Sequence, residues 1–186
     1  ALGSGVTGSH RMILTLTIYD GTLIAGGWFN TAGGVSAHFI ASWDGSNWSS
    51  LGSGIGGSDP MVCALTVYDG KLIAGGYFTT AGGVPASNIA AWDGGSWSSL
   101  GSGMNDAVAA LTVHNGRLIA GGLFSNAGGV SADCIAAWDG GSWSAIGTGM
   151  NERVFSLAVY DGQLIAGGWF TACGGTPINY IAAWND

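Results

Sequence analysis

Hydrophobic and polar residues alternate in short runs along this chain, and the runs recur in a fixed order. In MVCALTVYD, residues 61–69, Val62, Ala64 and Thr66 fall on one side of an extended strand, while Cys63, Leu65 and Val67 fall on the other. Asp69-Gly70 closes the run. An Asp-Gly pair between apolar runs marks a hairpin, because both residues tolerate positive φ. KLIAGGYF then predicts a second strand. A longer connection, TTAGGVPAS, leads to a third strand in NIAAWDG, and another tight turn leads to a fourth in SWSSLGS. The pair Gly75-Gly76 inside the second strand should weaken it by roughly 0.5–1 kcal/mol per glycine relative to alanine. Its return at Gly26-Gly27, Gly121-Gly122 and Gly167-Gly168 implies a packing reason. The missing side chain lets a neighbouring unit approach the backbone, or an aromatic ring, for which Trp92 and Trp97 are the candidates.

The text from Tyr68 to Leu100 occurs four times, the other copies running from Tyr19 to Leu51, from His114 to Ile146 and from Tyr160 to the end of the chain. The aligned tryptophans Trp43, Trp92, Trp138 and Trp184 are 49, 46 and 46 residues apart, and the three extra residues fall within GSGIGGSDPMVCAL, opposite GSGMNDAVAAL in the third copy. A length difference confined to one place marks a surface loop. A period in the forties with four short strands in each copy is the pattern of a propeller, whose units bury a face against their neighbours. The expected fold is all-β, a single β-propeller domain over residues 1–186 made of four four-stranded blades, with repeats at about 2–50, 51–99, 100–145 and 146–186. The last blade is incomplete. Ala1-Leu2-Gly3-Ser4-Gly5 matches Ala145-Ile146-Gly147-Thr148-Gly149, and Asp186 matches Gly140, so joining tail to head lacks only the equivalents of Gly141-Ser142-Trp143-Ser144. A ring closed by a strand shared between the two ends, a pairing of two chains and an excerpt from a longer array all answer to this.

The order of these features resembles the Kelch-type β-propellers, including the propeller of galactose-oxidase-like proteins. The resemblance spans essentially the whole chain and rests on Ile73-Ala74-Gly75-Gly76 after an apolar first strand, followed by the pair Trp92 and Trp97. The chain departs from that family in carrying Trp92 where the family has tyrosine, and in loops poorer in charge. The resemblance implies Kelch-like blades. It does not bring copper chemistry of the galactose-oxidase type, because His10, His38 and His114 stand at unrelated places in their repeats and no tyrosine–cysteine arrangement can be matched.

Composition changes this picture mainly by exclusion. With 47% hydrophobic residues and nine tryptophans, the chain is not a disordered segment, and its 36 glycines follow no collagen register. The net charge of −7 suggests a cationic partner until the acids are placed. Six of the eleven, Asp20, Asp69, Asp161, Asp44, Asp93 and Asp139, sit in Tyr-Asp-Gly or Trp-Asp-Gly turns, where a carboxylate accepts local backbone hydrogen bonds. Four Lys and Arg residues leave no basic footprint, so no nucleic acid partner is expected. The apolar runs are short and broken by Gly-Gly, so no membrane span is expected. Cys63, Cys134 and Cys173 occupy different places in their repeats and form no repeated metal site. A disulfide between Cys134 and Cys173 is geometrically feasible; the alternative is that all three are small buried hydrophobes. No cofactor is expected, since the GSG and AGG runs lack a following Lys-Ser or helix. The expected setting is extracellular or at the cell surface, and a mature secreted chain would show no leader.

In an up-and-down blade the first-to-second and third-to-fourth turns share one face, and the second-to-third and fourth-to-first connections share the other. The first set is tight and uniform here, whereas the second is long and variable, so binding chemistry is expected on the long-loop face. The candidates are Trp28, Tyr77 and Trp169 at the ends of second strands, with Asn30, His38, Asn88, Asp106, Asp133, Glu152, Asn179 and Tyr180 in the connections. Aromatic faces beside Asn and Asp suit a sugar ring and its hydroxyls; the structural alternative is that these polar groups satisfy loop backbone. The expected function is a non-catalytic extracellular binding module for protein or glycan ligands. A second reading is a structural, self-assembling protein whose open final blade is completed by another chain, giving an oligomer or a filament. A third is a glycoside hydrolase using Asp106 and Glu152, which hold equivalent positions in adjacent repeats. Simple duplication produces that equivalence too, and no enzyme is expected.

Overall fold

Asp-Gly and Asn-Gly pairs set the hairpins. In the computed structural model, which describes residues 2–8 and 10–184, Asp20, Asp69, Asn115 and Asp161 sit at φ of 47°, 48°, 45° and 50°, each followed by a glycine at positive φ. This is the mirror-image turn whose twist matches that of paired strands. It joins Met12–Tyr19 to Thr22–Trp28, Met61–Tyr68 to Lys71–Tyr77, Val108–His114 to Arg117–Gly122 and Val154–Tyr160 to Gln163–Gly168. Third strands at Ile40–Trp43, Ile89–Trp92, Ile135–Trp138 and Ile181–Trp184 pair antiparallel with the second. Fourth strands at Trp48–Ser50, Trp97–Ser99 and Trp143–Ala145 pair with the third. Among the described residues repeats 1 to 3 are therefore four-stranded meanders, repeat 4 has three strands, and there is no helix. Ala1 and Asp186, on which the tail-to-head match partly rests, lie outside the described residues.

The connection TTAGGVPAS is more regular than its sequence suggests. Thr80–Ala81 pairs with Val84–Pro85 across Gly82 and Gly83, at φ of 60° and 82°. The same small hairpin recurs at Thr31–Ala32 with Val35–Ser36, Asn126–Ala127 with Val130–Ser131, and Ala172–Cys173 with Thr176–Pro177. The chain arriving from the preceding repeat adds to it, as a strand at Val6–Thr7 and Ile55–Gly56 and as a single bridge at Met104 and Met150. The long-loop face is thus built on four tied-down hairpins.

The glycine pairs answer to two different neighbours, and neither is a tryptophan. The register shifts at Gly75/Gly76 leave Cys63 as the extra residue of a β-bulge in the first strand. A β-carbon on Gly76 would run into the Met61 carbonyl oxygen of that bulge, and one on Gly75 would lie 2.6 Å from Val108 Cγ1 of the next repeat. Gly26 meets Val62 and Gly121 meets Val154 in the same way. The expected approach of a neighbouring unit is found; the expected approach of Trp92 or Trp97 to this pair is not. Those two rings pack on each other, 5.4 Å apart and tilted by 50°. Buried Trp97 donates its indole N–H to the carbonyl of Leu51, at the start of its own repeat, at 2.9 Å, as Trp143 does to Leu100 and Trp48 to Leu2.

Core residues collect at the junctions between repeats. Ile24 and Ile40 of repeat 1 pack with Val62, Leu65 and Leu72 of repeat 2. Ile73 and Ile89 pack with Val108 and Leu118, and Ile119 and Ile135 with Val154 and Leu164. The four first strands pack in succession, and among the described residues nothing comparable joins the last to the first. Among the described residues the array does not close on itself.

The turn acids divide into two kinds. Asp93 Oδ1 accepts the Gly95 and Ser96 N–H groups at 2.9 and 2.7 Å, and Asp44 and Asp139 accept the corresponding pairs. These backbone donors hold all three carboxyls below the ordinary aspartate value. The expected carboxylate bonds of Asp20, Asp69 and Asp161 are not found among the described residues; those aspartates serve by adopting positive φ. A depressed folded pKa stabilises the fold above the unfolded value of about 3.9 and ceases to do so as pH falls through the folded value. The urea midpoint is therefore expected to drop on acidification below about pH 4. Asp44→Asn, Asp93→Asn and Asp139→Asn combined should shrink that drop, as measured by tryptophan fluorescence.

Candidate cleft on the long-loop face

The longer passage into repeat 2, Gly57-Ser58-Asp59-Pro60, forms one wall of a cleft of about 280 Å³. Tyr77, Phe78 and Thr79 supply another wall, Ser87 and Asn88 a third, and Met104-Asn105 the far side. Phe78 is buried beneath, so the second strand turns one aromatic outward and the next inward. The passages into repeats 3 and 4 are shorter and anchored by an asparagine. Asn105 Oδ1 accepts the Ser125 and Asn126 N–H groups at 3.0 and 2.9 Å, and its amide donates to Ser125 Oγ. Asn151 repeats this with Thr171 and Ala172. A wall that stands away from the sheet thus comes from the three-residue insertion.

The three exposed-end aromatics are not equivalent. The Trp28 ring is covered by His10, stacked at 3.4 Å and 8°. Trp169 carries the Arg153 guanidinium 5.6 Å from its centroid and Phe155 edge-on at 5.2 Å. Tyr77 is 43% exposed. Trp169 is the more exposed ring, at 62%, but Tyr77 alone of the three has neither a stacked ring nor a cation against it among the described residues.

The remaining candidates separate in space. Asn88 is buried at φ 63°, where its Oδ1 accepts the Phe78 N–H at 3.0 Å and its amide donates to the Met104 carbonyl at 2.9 Å. It closes the floor of the cleft, and the structural reading holds for it. In repeat 1, Asn30 is half-buried and ties to Thr7 through its backbone, and exposed His38 contacts Ser36 Oγ at 3.3 Å. Asn179 and Tyr180 lie exposed in repeat 4, beyond the cleft. Asp106, Asp133 and Glu152 are exposed around Cys134, at the boundary of repeats 3 and 4. Burial, then the fields of Asp133, Glu152 and Asp106 opposed by Arg153, push the Cys134 thiol up to about 11. Burial pushes Cys63 up to about 11 and raises Cys173 as well. All three thiols are free, so the feasible Cys134–Cys173 bond is not formed. Among the described residues no group of His, Cys, Asp and Glu is arranged to hold a metal ion. The structure brings Tyr77 and Asn88 into one cleft, together with Ser58, Asp59 and Ser87. Ser58 and Asp59 both lie in the inserted stretch, whose length marked a surface loop without singling out either residue.

A family model described as "Domain of unknown function (DUF5122) beta-propeller" matches residues 69–90. No curated protein matches the sequence. Among solved structures, the chain is similar to the computationally designed Ika4 protein, at 17% identity and a TM-score of 0.59, over 97% of this chain and 94% of that one. It is also similar to the extracellular domain of the putative one component system BT4673 from B. thetaiotaomicron, at 10% identity and a TM-score of 0.57, over 96% of this chain and 22% of that one. The chain thus spans about a fifth of that larger domain. Both likenesses are likenesses of fold. With the matched segment, they identify the repeats as all-β and of propeller type.

Proposed function

We propose that this chain is a non-catalytic binding module of Kelch-like blades, working outside the cell, and that it takes a carbohydrate in the cleft of repeat 2. The exposed Tyr77 ring, which lines the cleft with no ring or cation partner among the described residues, carries this reading: a sugar presents a flat C–H face to an aromatic ring and hydroxyls to its rim. Ser58, Asp59 and Ser87 stand around that ring with donors and acceptors to offer. Asn88, which is buried, and Asn105 are engaged in bracing the loops, through bonds to the Phe78 N–H and Met104 carbonyl and to Ser125, so the reading does not rest on them. The cleft is lined by neither Asp106 nor Glu152, the pair of the hydrolase reading, and has Asp59 as the one carboxylate among its lining residues.

A glycan array probed with the wild-type chain should yield a ligand class. Tyr77→Ala is expected to weaken binding to it by about tenfold or more, while Trp28→Ala and Trp169→Ala leave it within about twofold. A blank array, or binding that survives Tyr77→Ala, would refute the proposal.

A further inference from the structure

We propose that a second copy of this chain docks head to tail on the open face of repeat 1, and that two copies close into one ring of eight repeats. The ends of the array carry the two halves of a junction that the chain makes three times within itself. That internal junction specifies the occupant.

At each internal junction a fully buried valine of the incoming first strand, Val62, Val108 or Val154, rests on the first glycine of the preceding pair. Repeat 1 has Ile13 at this place, 38% exposed. The glycine without such a visitor is Gly167, whose nearest atoms beyond its chain neighbours, Ser156 Oγ and the Tyr180 carbonyl, belong to its own repeat. Leu16 is 58% exposed where its counterpart Leu65 is 9%. On the opposite end, Ile181 is 67% exposed where Ile40, Ile89 and Ile135 are fully buried. The turns repeat the message. The hydroxyls of Tyr19 and Tyr68 reach within 3.8 and 3.9 Å of β-carbon positions at Gly94 and Gly140 in the following repeat. Their counterpart Tyr160 is 74% exposed, and Gly45, the counterpart of those glycines, has nothing within 4 Å.

The open face of repeat 1 is an apolar concavity of about 590 Å³ whose lining includes Ile13, Leu23, Ala25 and Trp48. Leu23, Ala25 and Trp48 are the counterparts of Leu72, Ala74 and Trp97, which pack with Ile24 and Ile40 in the first junction. Ile165 and Ile181 are the counterparts of those two isoleucines at the far end. None of these side chains is charged, so docking strands no buried charge. Docking also meets the outer edge of the third strand of repeat 4, which among the described residues pairs only with the second strand. In repeat 2, Ala90 pairs with Ser99, and continuing that register sets Leu100 opposite Ile89. Leu2 is the counterpart of Leu100, is 46% exposed, and would arrive beside Ile181.

The contact joins unlike faces, so it either closes a ring or propagates as a filament. Two copies give eight repeats, within the usual four to eight blades of a propeller, and three copies would exceed it. Sedimentation velocity at micromolar concentration is expected to show a species of twice 18.6 kDa. Ile13→Asp and Ile181→Asp, on opposite faces, should each raise the dissociation constant about a hundredfold or more, with circular dichroism unchanged. Val84→Asp, at a comparably exposed apolar residue on a loop hairpin, should leave the dimer intact. A monomeric wild type, polymers that grow past two copies, or a dimer that survives both aspartate variants would overturn the proposal.

Discussion

Gly76→Ala is expected to destabilise the chain by about 3 kcal/mol or more, lowering Tm by roughly 6–12 °C. The added methyl has nowhere to go. It points at the Met61 carbonyl oxygen of the bulge, which is backbone and cannot rotate away. Relief would require the bulge to open, and with it the pairing of Gly76 with Val62. Gly95→Ala is the matched control, since its β-carbon would meet nothing closer than Asp93 Oδ1 at 3.7 Å and repeat 1 carries Ser46 there. Differential scanning calorimetry of the two variants should separate them clearly; equal midpoints would mean that the bulge does not hold the second strand in register.

Phe124→Ala should cost about 3–5 kcal/mol, or roughly 6–20 °C in Tm. The ring is fully buried in the cluster that holds Met104, Ala127 and Ala132, and the alanines around it have no longer side chains to refill the space. Phe29, Phe78 and Phe170 hold the same place in the other repeats and are equally buried. Urea denaturation would read the loss directly, and a cost below about 1 kcal/mol would show that the loop face is not anchored through this ring.

The legible part of the fold was the part that depends on neighbours in sequence. Asp69-Gly70 announces its hairpin because the backbone conformation is local, and the four tryptophan-aligned copies announce the repeat. The use of Gly75 was half legible: repetition demanded a packing reason, but only the stacked array shows that Val108 supplies it. Phe124 lay unremarked although a phenylalanine recurs at this place in every repeat, since recurrence alone does not say whether the ring points inward or out. The short hairpin around Gly82-Gly83 also escaped, its strands being two residues long.

The site was legible as a face and not as residues. Loop length pointed to the connections that form the cleft, and Tyr77 was among the candidates. Sequence could not separate Tyr77 from Trp28 and Trp169, because the difference lies in what covers them, His10 in one case and Arg153 with Phe155 in the other. Asn88 looked like a ligand group for the same reason: an exposed loop amide and one that braces buried backbone read alike until Phe78 and Met104 are in place.

The most direct test is to map backbone amide shifts by NMR while titrating the chain with the oligosaccharide that it binds. Shifts are expected at Gly57–Asp59, Tyr77–Thr79 and Ser87, with the other repeats' connections unmoved. Shifts centred on Trp28 or Trp169, or on the Asp-Gly turns of the opposite face, would contradict a ligand site in the cleft of repeat 2.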